Sequence, residues 1–190
     1  MRVKRSVDFR MAPKKATKEK SAAAEPTREE GWEPSKCSRS DLESLVKQGF
    51  LPSESVVQWR PAFDDARPYE NTGEIVGLVL YFERGLSLPS SNFFSGLLYY
   101  YGVQLHHLTP NSFVHMSVFV HLCEAYLGIE PHFDLFRHLF HLKPQPNSAS
   151  LDVVGGAEIQ LRQRMDRVYI PYKLSQKVID WKSRWFYVKN

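Results

Sequence analysis

The stretch between Thr109-Pro110 and Gly128 constrains the fold more than any other part of this chain. Threonine offers an N-cap acceptor, and proline suits a first helical position, where its missing N–H is no loss. Glycine supplies the stop. Between them, Phe113, Met116, Val120, Cys123 and Leu127 form one apolar stripe at helical spacing, and Phe119, Leu122 and Tyr126 form a second. Only Ser117, His121 and Glu124 make a narrow polar row. A helix apolar nearly all round is buried on several sides. Residues 110–127 are therefore predicted to be the central helix around which the chain packs.

The flanking segments are read against that helix. Ser40 with Glu43 fits a capping box, with Leu42, Leu45 and Val46 as the apolar stripe and Gly49 as the stop. Residues 52–73 read as loop with a short strand at Val56–Trp59. Ile75–Phe82 is a continuous apolar run that periodicity cannot assign, and its β-branched residues and glycine-bounded ends favour a strand. Ser90 or Ser91 caps a helix through Tyr101, which Gly102 ends. Pro131 opens a helix to about Leu142. Two alternating runs about Gly155-Gly156 predict a β-hairpin. Leu174, Val178, Trp181 and Trp185 share one helical face. The fold class is α+β, mainly α: a helical domain around a central buried helix, with a small hairpin.

Charge is unevenly distributed along the 190 residues. The net charge is +4, but residues 1–20 hold eight Lys/Arg against Asp8 and Glu19, a local charge of +6. The remainder sums to −2, so the basic balance belongs to the N-terminal segment. Residues 1–36 are poor in apolar side chains and rich in Lys, Ala, Glu, Pro and Ser, which predicts a disordered basic tail; residues 38–190 are the single domain. Pro13-Lys-Lys-Ala-Thr-Lys-Glu-Lys loosely fits a nuclear-import segment, and a solubilising tail is the favoured reading. The two cysteines, Cys37 and Cys123, suggest no disulfide framework. No signal peptide or membrane-spanning run is evident, so nucleus or cytoplasm is the expected location and no membrane partner is expected.

All seven histidines lie between Leu86 and Leu142. Asp134, His138 and His141 fall on one face of the helix opened by Pro131, a weak metal-ligand pattern; a solvated helix face gives the same pattern. His121 and Glu124 read as a partly buried hydrogen-bonded pair. No phosphate-binding loop, nucleophile elbow or paired cysteines occur, so no cofactor and no catalytic residue is nominated. Asp64-Asp65 is a lone acidic pair, short of the carboxylates a metal-dependent nuclease needs. Arg162, Arg164 and Arg167 form one basic group. Lys173, Lys177, Lys182 and Arg184, interleaved with Tyr172, Trp181, Trp185, Phe186 and Tyr187, form a second that suits phosphates and stacked bases, unless those aromatics are core.

Glu83-Arg-Gly-Leu-Ser-Leu-Pro, Tyr100-Tyr-Gly-Val-Gln-Leu-His-His-Leu-Thr-Pro-Asn, Leu122-Cys-Glu-Ala-Tyr-Leu-Gly-Ile and the Trp181…Trp185-Phe-Tyr ending closely resemble a plant family, the gypsy-type transposon (gypsy-type transposase) domain. The resemblance covers about residues 40–190. It implies a protein derived from a long-terminal-repeat retroelement and brings no catalytic residues with it. The reading that follows is a non-enzymatic interaction or assembly module, its partners being further copies of itself or other element-encoded proteins. The alternatives are a nucleic-acid-binding protein of the element, with the basic tail contributing, and a transposase or nuclease.

Overall fold

A computed structural model of the protein describes residues 31–145, 153–172, 174 and 179–189. Its mainly helical α+β architecture is the one the sequence predicts. The first helix, α1 (Arg39–Lys47), is capped by Ser38 rather than Ser40. The Asp41 N–H donates to Ser38 Oγ at 3.3 Å, and the Ser38 N–H donates to Asp41 Oδ2 at 2.8 Å. The capping box is thus Ser38/Asp41, two residues earlier than expected, and Leu42 and Leu45 lie in the core. Upstream of it the chain already packs on the body. The Trp32 ring meets Trp185 edge-on at 5.4 Å, and Ser35 Oγ donates to the Trp185 carbonyl at 2.7 Å. Residues 1–30 of the tail lie outside the described residues.

Strand β1 (Trp59–Pro61) sits later than the expected Val56–Trp59, and Val56 is exposed. The apolar run from residue 75 is divided: β2 (Glu74–Leu78) gives way to the short helix α2 (Val79–Glu83). The C-terminal segment read as helical is also different. Trp181–Ser183 is a single 3₁₀ turn and Trp185–Lys189 is strand β5; Val178 lies outside the described residues. β5 is the middle strand of an antiparallel sheet ordered β1–β5–β2, with Val76 opposite Tyr187 and Leu78 opposite Trp185. A middle strand covered on both faces accepts a continuous apolar run, and Trp185, Phe186, Tyr187 and Val188 are fully buried.

Helix α3 (Asn92–Tyr101) keeps its predicted span, with Ser91 rather than Ser90 as its cap, and α4 (Pro110–His121) starts as predicted after Thr109 but ends six residues before the predicted Leu127. α3 ends at Gly102, and α4 continues as a π-helical turn, Leu122–Leu127, before Gly128. Phe113, Met116 and Phe119 are core residues, stacked among Tyr81, Phe93 and Phe136. Two polar residues are buried with them. Ser112 Oγ accepts the Ile159 N–H, and the His115 ring bonds through Nδ1 to the Tyr172 hydroxyl.

Helix α5 (Phe133–Leu139) stops three residues before the predicted end, because Phe140–Pro144 is strand β3. β3 pairs with β4 (Ala157–Leu161). The hairpin expected about Gly155-Gly156 is therefore replaced by one with a longer connection, and Leu151 and Asp152 lie outside the described residues. The register explains the choice. Phe140 faces Leu161 and Leu142 faces Ile159 on one side, while His141 faces Gln160 and Lys143 faces Glu158 on the other. Gly155 still needs its glycine: its φ is +69°, and an added Cβ would lie 2.7 Å from the Trp181 ring.

Candidate functional site

The surface feature that stands out is a groove of about 710 Å³ between the outer face of α3 and the chain leaving α4. Gly96, Tyr99 and Tyr100 of α3 form one wall; Val120, Glu124, Glu130 and Phe133 complete it. Helical spacing puts Gly96 beside Tyr99 and Tyr100 on one surface. Leu97 turns the other way, into the core, while the half-buried Phe93 lines the groove and packs against Phe119 and Phe136 beneath it. Tyr99 is 84 % exposed and Tyr100 49 %. The Arg137 guanidinium lies 4.5 Å from the Tyr100 ring centroid and 5.6 Å from that of Phe133, so these rings already hold a cation against their faces.

The π-turn contributes Glu124 to the opposite wall and exposes the residues that follow. In a regular helix Tyr126 and Leu127 would follow the buried stripes. Here the Gly128 N–H donates to the Cys123 carbonyl, five residues back, and the wider winding rotates later side chains off the 100° repeat. Cys123 stays buried, whereas Tyr126 is 73 % exposed and Leu127 and Ile129 are exposed beside it. The sequence expectation that Tyr126 and Leu127 are core is corrected by this change in winding. His121 and Glu124, expected as a partly buried pair, are both exposed, and His121 packs its ring on Tyr126 at 5.6 Å.

The groove is acidic. Glu124 and Glu130 are its charged lining residues. Neither forms an ion pair among the described residues, and the exposed Asp134 carboxylate lies 4.0 Å from the Arg137 guanidinium.

The residues singled out from sequence are distributed elsewhere. Asp134 and His138 are exposed on α5, but His141 is on β3, since the helix that would have aligned the three ends at Leu139. His141 Nδ1 is buried without a hydrogen-bond partner among the described residues. Among the described residues no group of three or more His, Cys, Asp or Glu is placed to hold a metal ion. Asp64 is exposed, and Asp65 accepts the Tyr187 hydroxyl at 2.8 Å. Burial pushes the Cys37 thiol up to about 12 and raises that of Cys123, which keeps both protonated and poor nucleophiles.

Of the basic residues, Arg162 donates through Nε to the Arg137 carbonyl at 2.8 Å. Arg164 and Arg167 are exposed around the 3₁₀ turn after β4. Lys182 lies 5.8 Å from the Trp181 ring, and Arg184 meets Asp41 at 3.8 Å. Lys173 and Lys177 are outside the described residues. Trp185, Phe186 and Tyr187, expected as a base-stacking set or as core, are core. No hydrogen bond, ion pair or ring contact among the described residues joins the Arg162–Arg167 group to Lys182 and Arg184.

Sequence reasoning missed the His115–Tyr172 pair and the groove. Burial pushes the His115 imidazole down to about 4, against the pull of the Glu158 carboxylate. Its position among Phe113, Met116 and Phe119 was the available signal. The groove had no comparable signal, since it depends on the π-turn and on how α3 lies against α4. Among the described residues, no helix is long and apolar enough to cross a membrane.

Compared with known protein families, residues 75–144 match the family model described as "Putative gypsy type transposon". The matched stretch runs from β2 to the end of β3 and contains every residue that lines the groove, whereas Asp64, Asp65, the Arg162–Arg167 group, Lys182 and Arg184 fall outside it. No curated protein and no solved structure matches the chain.

Proposed function

We propose, from the match of residues 75–144 to the gypsy-type transposon family, that the chain is a plant retroelement-derived protein whose folded body is a non-enzymatic interaction and assembly module, working in the nucleus or cytoplasm. The observation that carries this reading is the groove within the matched segment, walled by exposed Tyr99 and Tyr100. Tyrosine gives large contact area for little side-chain entropy and is enriched where proteins meet. An isolated exposed aromatic needs no explanation, but a concave surface with several rings marks an interaction site.

The nucleic-acid alternative has less support. Of the aromatic residues that would stack on bases, Trp185, Phe186 and Tyr187 are core and Tyr172 and Trp181 are half-buried, and the groove's carboxylates repel phosphate. The nuclease alternative rests on Asp64 and Asp65, of which Asp65 is engaged by Tyr187.

The test is light scattering of the full chain over a range of concentrations, beside the Tyr99→Asp/Tyr100→Asp variant. The wild type is expected to self-associate and the variant to be monomeric with an unchanged circular-dichroism spectrum. A strictly monomeric wild type, or salt-sensitive DNA or RNA binding that persists when residues 1–20 are neutralised, would overturn the reading.

A further inference from the structure

Three properties of the groove describe its occupant. Its walls are aromatic, with the faces of Tyr100 and Phe133 already holding one guanidinium. Its lining charges are the carboxylates Glu124 and Glu130, which form no ion pair among the described residues. At its side is Gly96, where an added Cβ would touch nothing within 4 Å. A mid-helix glycine weakens α3 by about 0.5–1 kcal/mol relative to alanine, and no close packing contact requires it. Its effect is to leave open space on the wall next to Tyr99 and Tyr100.

Aromatic faces with carboxylates around a relieved wall suit a segment rich in lysine and arginine. Cations over tyrosine faces gain the ring's electrostatic attraction, and the long aliphatic stems cover apolar surface. This chain contains such a segment. Residues 1–20 hold eight Lys/Arg and a net +6, while the other residues sum to −2. The charge complementarity is between two parts of the same chain.

We propose that the groove receives the basic segment 1–20 of a second copy of this chain. The proposal rests on the interaction-module reading and names its partner. Because the groove and the basic segment are different surfaces, each copy offers one of each, and the contact is head-to-tail. Such contacts close into rings or continue as open assemblies.

The experiment uses the full chain with Tyr99 replaced by the photo-crosslinker benzoylphenylalanine, mixed from ¹⁴N- and ¹⁵N-labelled preparations. Crosslinked peptides are then identified by mass spectrometry. The expected products join position 99 of one label to residues 1–20 of the other, and 1 M NaCl lowers their yield at least tenfold. Glu124→Lys with Glu130→Lys should lower it similarly. Adding a chain with Lys14, Lys15, Lys18 and Lys20 changed to Glu should restore it, which a misfolded groove could not do.

Crosslinks to residues 1–20 of the same label only, or to another surface of the second copy, overturn this proposal and leave the interaction-module reading standing. A chain that neither crosslinks nor associates at any concentration overturns both.

Discussion

Ser112 Oγ, buried near the start of α4, accepts the Ile159 N–H of β4 at 2.9 Å. β4 pairs with β3 on one side, and its other edge would expose unpaired backbone groups. The first turn of α4 covers that edge. The Thr109 N–H donates to the Ala157 carbonyl at 2.8 Å two positions away, and the Ser112 hydroxyl lies 3.3 Å from Thr109 Oγ1. One serine thus joins the central helix to the second sheet.

Removing that hydroxyl leaves a buried N–H without a partner, which costs more than the bond itself contributes. Ser112→Ala is expected to lose about 1–3 kcal/mol of stability in urea titrations followed by tryptophan fluorescence. Ser117→Ala is the comparison. Its hydroxyl donates to the Arg84 carbonyl at a longer 3.2 Å from a partly exposed position, so it should lose less. Equal losses would show that Ile159 finds another acceptor.

Acid should unfold the protein in two stages. Burial pushes the His115 imidazole down to about 4, and burial with the neighbouring His107 does the same for His106. A histidine lowered on folding binds its proton more readily in the unfolded chain. Stability is therefore intact above pH 6.5 and falls between about 6.5 and 4, by up to about 1.4 kcal/mol per pH unit for each group. Glu74 acts lower down. Hydrogen bonds from Arg60 hold its carboxyl down to about 2, so its contribution is present above about 4.5 and is lost as pH falls toward 2. Chemical denaturation at a series of pH values should give a shallower 6.5-to-4 slope for His115→Asn and a shallower slope below 4.5 for Glu74→Gln. Parallel profiles for wild type and both variants would rule these groups out.

Gly96→Ala should raise stability by about 0.5–1 kcal/mol, because the added methyl meets open space and α3 regains helix propensity. The same methyl enters the groove wall, so association should weaken as stability rises. Thermal melts and light scattering on one sample separate the two effects. A lower melting temperature would mean that Gly96 serves the fold rather than the groove.

The candidate site was only partly legible in the sequence. Glu124 and the π-turn residues belonged to the predicted central helix, and Tyr99 and Tyr100 to the predicted α3, but nothing local said that those surfaces form one groove. A regular 100° repeat placed Tyr126 and Leu127 inside, and five-residue hydrogen bonding turned them out. The metal-ligand pattern failed for a similar reason: Asp134, His138 and His141 share a face only if the helix continues past Leu139.

What the sequence alone determined were features set within a few residues: the start of α3 at the Ser90-Ser91 pair and of α4 after Thr109, the stop of α3 at Gly102 and of the segment following α4 at Gly128, and the apolar core positions Phe113, Met116 and Phe119. Capping and helical periodicity are short-range, so they are written locally. Tertiary structure decided whether Phe140–Pro144 and Trp185–Lys189 became strand or helix, and where the apolar run after Ile75 divided. Short apolar runs satisfy either geometry, and the choice falls to whichever partner pairs their backbone groups and covers their side chains. For Trp185 that partner is β2, more than a hundred residues away in sequence.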